Sequence, residues 1–395
     1  MHSLKGRIQR YTWGGKTFIP SLFQQSPDEQ PAAEYWLGIH NGGPSQVVLG
    51  QGASTSLRAL INSDKVRYLG KSVMDQFGNL PYLLKILDVK DMLSIQVHPN
   101  KRAAEEGFKK ENELGIPLTA PNRNYKDDNH KPEMMVALSD FWLLHGFSPN
   151  IEEHLDAYAF LQGFKGIFHA EGIKGLYQLV MELPQEEVDR LIAPHIEAIL
   201  PLYEAHQLSK SSPDFWAARA VHSFCGDGHF DRGIFSIYLF NILNLKPGEG
   251  IFQGAGMPHA YLEGQNIELM SNSDNVLRAG LTPKHVDIPE LLANTAFVAT
   301  MAEIIPGSLN KTIQQYPCPI GDFSLTAYFL KAGEKMEFTV TSPSIFLMLN
   351  GHVQWKGNAI EDLEGAAAFF STPGEKLLAA ATADTNLFWA AVPGQ

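Results

Sequence analysis

A chain of 395 residues is longer than one compact core usually fills, so two or three domains are expected. Its formal net charge of -12, with no run of Lys or Arg, argues against nucleic acid and anionic membranes as main partners and leaves room for a small anion in a locally cationic pocket. Cys225 and Cys318 form no C-x-x-C pair, the opening "MHSLKGRIQRYTWGG" lacks the apolar core of a signal peptide, and no apolar run approaches a membrane span, so a cytoplasmic, soluble protein is expected.

Residues 1–150 read mostly as short strands punctuated by Gly and Pro, among them "AEYWLGIH", "SQVVLG", "YLLKILDV", "LSIQVHPNK" and "EMMVALSDFWLLHG". Short helices interrupt them at "STSLRALI" and "KRAAEEGFKKE". The design is antiparallel β rather than a β-α-β alternation. Over 151–230 the period becomes helical: Val188, Leu191, Ile192, Ile196, Ile199, Leu200 and Tyr203 share a stripe, and Ser212 with Pro213 starts a helix. Pro194 and Pro201 are expected to kink or divide this inserted helical domain. Strands resume over 231–300, beginning with "GIFSIYLFNILNL", and fill 301–395. The fold class is therefore mainly β with an inserted α-helical domain, and the number of short strands fits jelly rolls of the cupin kind.

Two phosphate-loop look-alikes fail. "GGKTF" has Arg10 where a P-loop needs its first Gly, and "GEGIFQG" has Gln253 where a dinucleotide fingerprint needs Gly. Polar residues inside apolar strands remain. In "LSIQVHPNK", Gln96 and His98 stand two apart and share a strand face, with Ser94 behind them. Glu133 opens "EMMVAL" after His130 and Lys131, and His259 and Glu268 lie in "PHAYLEGQNIELM". A Gln, two His and a Glu from separate strands can supply N and O atoms to one Zn²⁺, although Gln is an uncommon ligand. Read alone, the same residues also fit hydrogen-bonded strand ends. Lys85 puts an ammonium among apolar neighbours, and "SNSDNVLRAGLTPKHVD" carries Asp274, Arg278 and Lys284 in a loop suited to an anion.

"LSIQVHPNK", "NYKDDNHKPEM" and "PHAYLEGQNIELMSNSDNVLRAGLTPKHVD", in this order, together with "YTWGG" and "AEYWLGIHNGGPS", resemble the type I phosphomannose isomerases. The resemblance spans residues 11 to about 290. It implies a catalytic cupin-type jelly-roll barrel built from 1–150 and 231–300, the helical insert, and a second jelly-roll barrel over 301–395. It also implies one Zn²⁺ per chain on Gln96, His98, Glu133 and His259. Lys85, His130, Lys131, Glu268, Asp274 and Arg278 are its catalytic positions, and Trp13, Ser94, Tyr261, Lys284 and Arg278 its substrate-binding positions. The chain departs from the family pattern in "HNGGPS", where relatives commonly carry Pro after the His, and at Met257.

The activity implied is interconversion of mannose 6-phosphate and fructose 6-phosphate through an enediol, by a monomer acting on a small sugar phosphate. The proton-shuttling base stays open among Lys85 or Lys131 with a depressed pKa, Glu268, a histidine and zinc-bound water. Two other readings stand beside this one: a different metal-dependent cupin, such as an iron oxygenase, and a non-catalytic sugar-phosphate-binding cupin. Gln96 as a fourth donor argues against an iron facial triad.

Overall fold

Successive side chains of a strand point to opposite sides of its sheet. That alternation builds two different surfaces in this protein, whose computed structural model describes residues 1–26, 29–49, 53–226, 228–356 and 360–394. The ten-stranded antiparallel sheet includes Glu34–Gly38, Tyr82–Val89, Gln96–Val97, Glu133–Ala137, Phe141–Phe147, Gly250–Gln253, His259–Ser271 and Leu277–Arg278. On one side, Tyr35, Leu37, Leu84, Ile86, Met134, Val136, Ile267 and Leu269 enter a core shared with Leu325, Ile345, Leu347 and Phe370 of the C-terminal strands. The other side carries Glu34, Trp36, Lys85, Glu133, Gln253 and Glu268.

The strand His259–Ser271 is the seam of this sheet. Its first residues pair with Gln96–Val97 and Phe141–Phe147, its later ones with Tyr82–Val89 and Glu133–Ala137. A register shift between Tyr261 and Glu263 turns the strand from one set of partners to the other, and Gly264 follows with φ of 129°. A Cβ at Gly264 would lie 2.7 Å from Phe141, so only glycine fits this bend.

An eight-stranded sheet joins the two parts of the chain. His2–Lys5, Gln46–Val48 and Ser54–Ser56 extend a sheet otherwise made from C-terminal strands, with His2 paired to Phe370. A four-stranded sheet covers its other side over Phe338, Phe346, Trp355, Phe369 and Leu377. The architecture is mainly β with helices, as expected. Among the described residues the pairings trace three open sheets and no closed barrel.

Helices Ile151–Ala157, Lys165–Glu182, Gln185–Glu204 and Pro213–Phe224 pack with Leu144, Phe147 and Leu262 in one core. Ser212 caps the last of them by accepting from the Asp214 N–H. Gln185–Glu204 runs as one helix through Pro194 and Pro201, so of the two expected outcomes, a kink or a division, division does not occur. Each proline removes one intrahelical hydrogen bond. Burial of Val188, Ile192, Ile196 and Ile199 along one stripe holds the helix together.

"GIFSIYLFNILNL" also departs from its reading as strand throughout: Gly233–Leu239 is helical and only Phe240–Leu245 is strand. All seven helical residues are buried, and a run buried all round carries no period from which to tell helix from strand. The local signal is Asp231, whose carboxylate accepts the Gly233 N–H at 2.7 Å. The same carboxylate accepts the N–H groups of Leu281 at 2.7 Å and Thr282 at 3.0 Å, so it ties this helix to the loop following Arg278. Asp231→Ala is expected to destabilise the protein by about 2–4 kcal/mol, since charge-assisted bonds are lost and buried donors left unpaired. Urea unfolding checks this, and a change within experimental error would remove Asp231 as an anchor.

Candidate functional site

Directly paired residues of antiparallel strands carry their side chains on the same face. Arg278 pairs with Gln96, Gln96 with His259, and His259 with His145, giving one row across four strands. A second row runs from Trp36 through Lys85 and Glu268 to Met135. Glu133, two residues from Met135 on that face, pairs with Gln253. His98 follows the short strand Gln96–Val97, and Pro99 ends it before Asn100 caps the helix Lys101–Glu113.

The histidines are oriented by backbone carbonyls. His98 Nδ1 lies 2.9 Å from the Asn275 carbonyl oxygen, and His259 Nδ1 lies 2.9 Å from that of Met257. A carbonyl only accepts, so each Nδ1 carries the proton and each Nε2 presents a lone pair. His98 Nε2 stands 3.3 Å from one oxygen of Glu133, and His259 Nε2 stands 3.2 Å from the other. Acceptors thus face acceptors, in a place where His98 Nε2 is buried without a hydrogen bond. Burial, then the neighbouring Lys131, pushes the His98 imidazole down to about 4, which keeps it neutral near pH 7. Burial raises Glu133, but the Lys131 ammonium at 3.2 Å opposes it and the carboxyl is held well below the usual carboxylate range.

Two imidazole lone pairs and a carboxylate, with donor atoms within 4.8 Å of one another, form a set that a divalent cation would satisfy. Gln96 stands beside His259 in the ladder and borders the same small cavity as Glu133 and His259. The residues fit a metal with nitrogen and oxygen ligands. Met257, one of the family departures, contributes through its backbone carbonyl, which any residue supplies.

Above this centre opens a cleft of about 960 Å³ lined by Trp13, Glu34, Trp36, His40, Lys85, Ser94, Gln96, Lys131, Asp274, Arg278 and Lys284, among others. A cavity of about 50 Å³ at its floor adds Glu133, His259, Tyr261 and Glu268. Lys85 Nζ donates to Glu268 at 2.7 Å and lies 3.8 Å from Glu34. Trp36 fixes Glu34 through its indole N–H, and the Lys85 ammonium sits 5.5 Å from the Trp36 ring centroid. Burial alone would lower the pKa of Lys85. Glu268, Glu34 and Glu133 outweigh it and hold the group above the ordinary lysine range. The depressed pKa expected of a lysine base is therefore absent at Lys85, because carboxylates converge on one ammonium.

Thirteen of the fourteen residues singled out from sequence meet at the cleft, its floor or the metal centre. His130 is the exception. Its Nε2 lies 2.9 Å from Asp322, which also accepts from Ser271, so the ring is turned towards the C-terminal segment and does not line the cleft. Sequence reasoning missed Glu34, Trp36, His40 and Asn275. Glu34 and Trp36 stand two apart in "AEYWLGIH", which was a legible shared face. His40 donates from Nε2 to Asp274 at 3.2 Å while its Nδ1 accepts the Gly42 N–H. Asn275 orients His98 through a backbone atom, which leaves no trace in residue type.

Residues 1–150 match the family model for phosphomannose isomerase type I, catalytic domain. Mannose-6-phosphate isomerase of Shigella flexneri is 37% identical over 388 residues, covering 94% of this chain and 95% of that protein. Mannose-6-phosphate isomerase of Homo sapiens is 30% identical over 380 residues, covering 88% and 86%. The crystal structure of mannose 6-phosphate isomerase bound with zinc and yttrium aligns over 99% of both chains with a TM-score of 0.87 and 34% identity. The apo form from Salmonella typhimurium aligns to the same extent, with a TM-score of 0.87 and 34% identity. With likeness along nearly its whole length and a metal centre assembled from its most distinctive motifs, the chain belongs to the type I phosphomannose isomerases.

Proposed function

We propose that this protein is a zinc-dependent mannose-6-phosphate isomerase that interconverts mannose 6-phosphate and fructose 6-phosphate through an enediol. The observation that carries the reading is the acceptor-only convergence of His98, Glu133 and His259 at the floor of a cleft bearing Lys85, Lys131, Arg278 and Lys284. Gln96, His98, Glu133 and His259 would hold the zinc. Bound there, zinc acts as a Lewis acid towards a sugar carbonyl and offsets charge developing on its oxygen, without redox chemistry.

The chain's own residues supply the rest. Arg278 and Lys284 bind the phosphate, since a dianion in a protein of net charge -12 needs local cations. Trp13 and Tyr261 wall the sugar, Ser94 lies beside Gln96, and His40 orients Asp274 towards the opening of the cleft. Lys85, held as an ammonium, stabilises negative charge rather than removing a proton. The proton moving between adjacent carbons is then carried by Lys131 or Glu268. Burial lifts Glu268 above the ordinary carboxylate range against the pull of Lys85, which suits a group that both takes and returns a proton.

A coupled assay with mannose 6-phosphate tests the reading: turnover that disappears on chelation and returns with zinc supports it. Oxygen consumption, or binding without turnover, would move the protein to the iron-oxygenase or the non-catalytic reading. Arg278→Ala is expected to keep stoichiometric zinc and lose at least about a hundredfold in kcat/KM, near 3 kcal/mol of transition-state binding. Loss of metal and of folded state together would instead make Arg278 structural.

The same reading takes 1–150 with 231–300 as the catalytic unit, 151–230 as the helical insert and 301–395 as a C-terminal unit, the two β units being cupin-type jelly rolls. It also takes the protein as a cytoplasmic monomer without nucleic-acid or membrane partners. In support, no helix among the described residues is long and apolar enough to cross a membrane. Light scattering reads the oligomeric state directly.

A further inference from the structure

We propose that Gln253 is a positioning residue: its side-chain amide couples the metal-binding carboxylate of Glu133 to the Lys85–Glu268 ion pair through the Tyr261 hydroxyl. Gln253 is fully buried and is the ladder partner of Glu133, so the two side chains stand together on one face. Its Nε2 lies 2.9 Å from the Tyr261 oxygen and 3.4 Å from Glu133 Oε2. Tyr261 in turn donates to Glu268 Oε1 at 2.8 Å, and Lys85 donates to Glu268 Oε2 at 2.7 Å.

The direction of every bond in this chain is forced. A carboxylate only accepts, and the Tyr261 proton is already committed to Glu268, so both neighbours of Gln253 require a donor. The amide NH₂, with two hydrogens, is the group that can serve both. This orientation turns the buried Gln253 amide oxygen towards the His145 imidazole, without a hydrogen bond of good geometry. A methionine or leucine here would relieve that oxygen but leave the buried Glu133 and Tyr261 acceptors one donor short. What the amide provides is a fixed rotamer for Glu133 and a fixed phenol for Glu268. It thereby links the metal centre to the ammonium at the floor of the cleft along a path behind the sugar.

The inference rests on the isomerase reading, and the test separates the two. In the full-length chain, zinc affinity is measured by chelator competition for the unsubstituted protein and for Gln253→Met. The expected result is a loss of about 10–100-fold in zinc affinity. In the zinc-saturated variant kcat should fall about tenfold while KM moves less than about twofold, because an interaction realised in the transition state has been removed. Combined with Tyr261→Phe, the loss should be smaller than the product of the single losses, since both substitutions break one chain. Zinc affinity within about twofold of the parent, or multiplicative losses in the double variant, overturns the coupling. If Gln253→Met does not fold, Gln253→Glu, which keeps the shape and changes the donor, is read in its place: weakened zinc supports the proposal and unchanged zinc overturns it. An unsubstituted chain that does not turn over mannose 6-phosphate would defeat the isomerase reading, whereas an active parent with unchanged zinc affinity in the variants defeats only the coupling.

Discussion

Replacing His98 or His259 by alanine is expected to remove stoichiometric zinc and catalytic turnover together. Each substitution deletes one of two lone pairs aimed at the oxygens of Glu133. A cation left with fewer protein ligands is held less tightly, and the Lewis acid that polarises the carbonyl is lost with it. A fall of at least about a thousandfold in kcat/KM corresponds to about 4 kcal/mol of lost transition-state stabilisation, a modest share of what enzymes supply. The fold should survive. His98 lies at a strand end between the short strand Gln96–Val97 and a helix capped by Asn100. His259 lies at one end of a 13-residue strand whose remaining length stays paired. Metal analysis, a coupled assay and circular dichroism on the same preparations check all three points. A folded His98→Ala variant that binds no zinc and yet turns over at the parental rate would sink the metal's role in catalysis.

Part of this site was legible in the sequence because β periodicity is short. Glu34 and Trp36, spaced two apart within one strand, share a face that this spacing alone could have shown, whereas His98 stands just past the two-residue strand that holds Gln96. Periodicity says nothing about which strands are neighbours. The ladder Arg278–Gln96–His259 therefore depended on pairings between segments far apart in the chain, and only motif resemblance drew those segments together in advance. The antiparallel β character, the helical run over 151–224 and the cap at Ser212 follow from local rules and were readable. The helix Gly233–Leu239 was not, because complete burial erases the polar side that marks a helix's period. Backbone-mediated roles, such as those of the Asn275 and Met257 carbonyls, are invisible to residue type. His130 shows the converse limit: position in a motif placed it among catalytic groups, while its hydrogen bond to Asp322 turns it away.

Lys85→Met is expected to cost both stability and turnover, and a second variant tells the two losses apart. The Lys85 ammonium lies between Glu268, 3% exposed, and Glu34, 7% exposed. Removing it leaves two buried carboxylates without their counter-charge, and breaking a buried pair in this way typically costs about 3–5 kcal/mol. Methionine fills much of the lysine stem's volume, so the loss reports charge rather than packing. Adding Glu268→Gln removes the nearer of the two orphaned charges and keeps an acceptor for the Tyr261 hydroxyl, so a large part of the lost stability should return in urea unfolding. Activity should not return with it. Replacing a buried ion pair by uncharged groups is often neutral for folding, whereas a cleft that must stabilise negative charge on a sugar oxygen needs its ammonium. If turnover recovered along with stability in the double variant, the ion pair would be a structural feature of the sheet and the electrostatic work would fall to Lys131 and the metal. Recovery of stability without turnover, when Glu268→Gln alone still turns over, places Lys85 among the groups that act on the substrate.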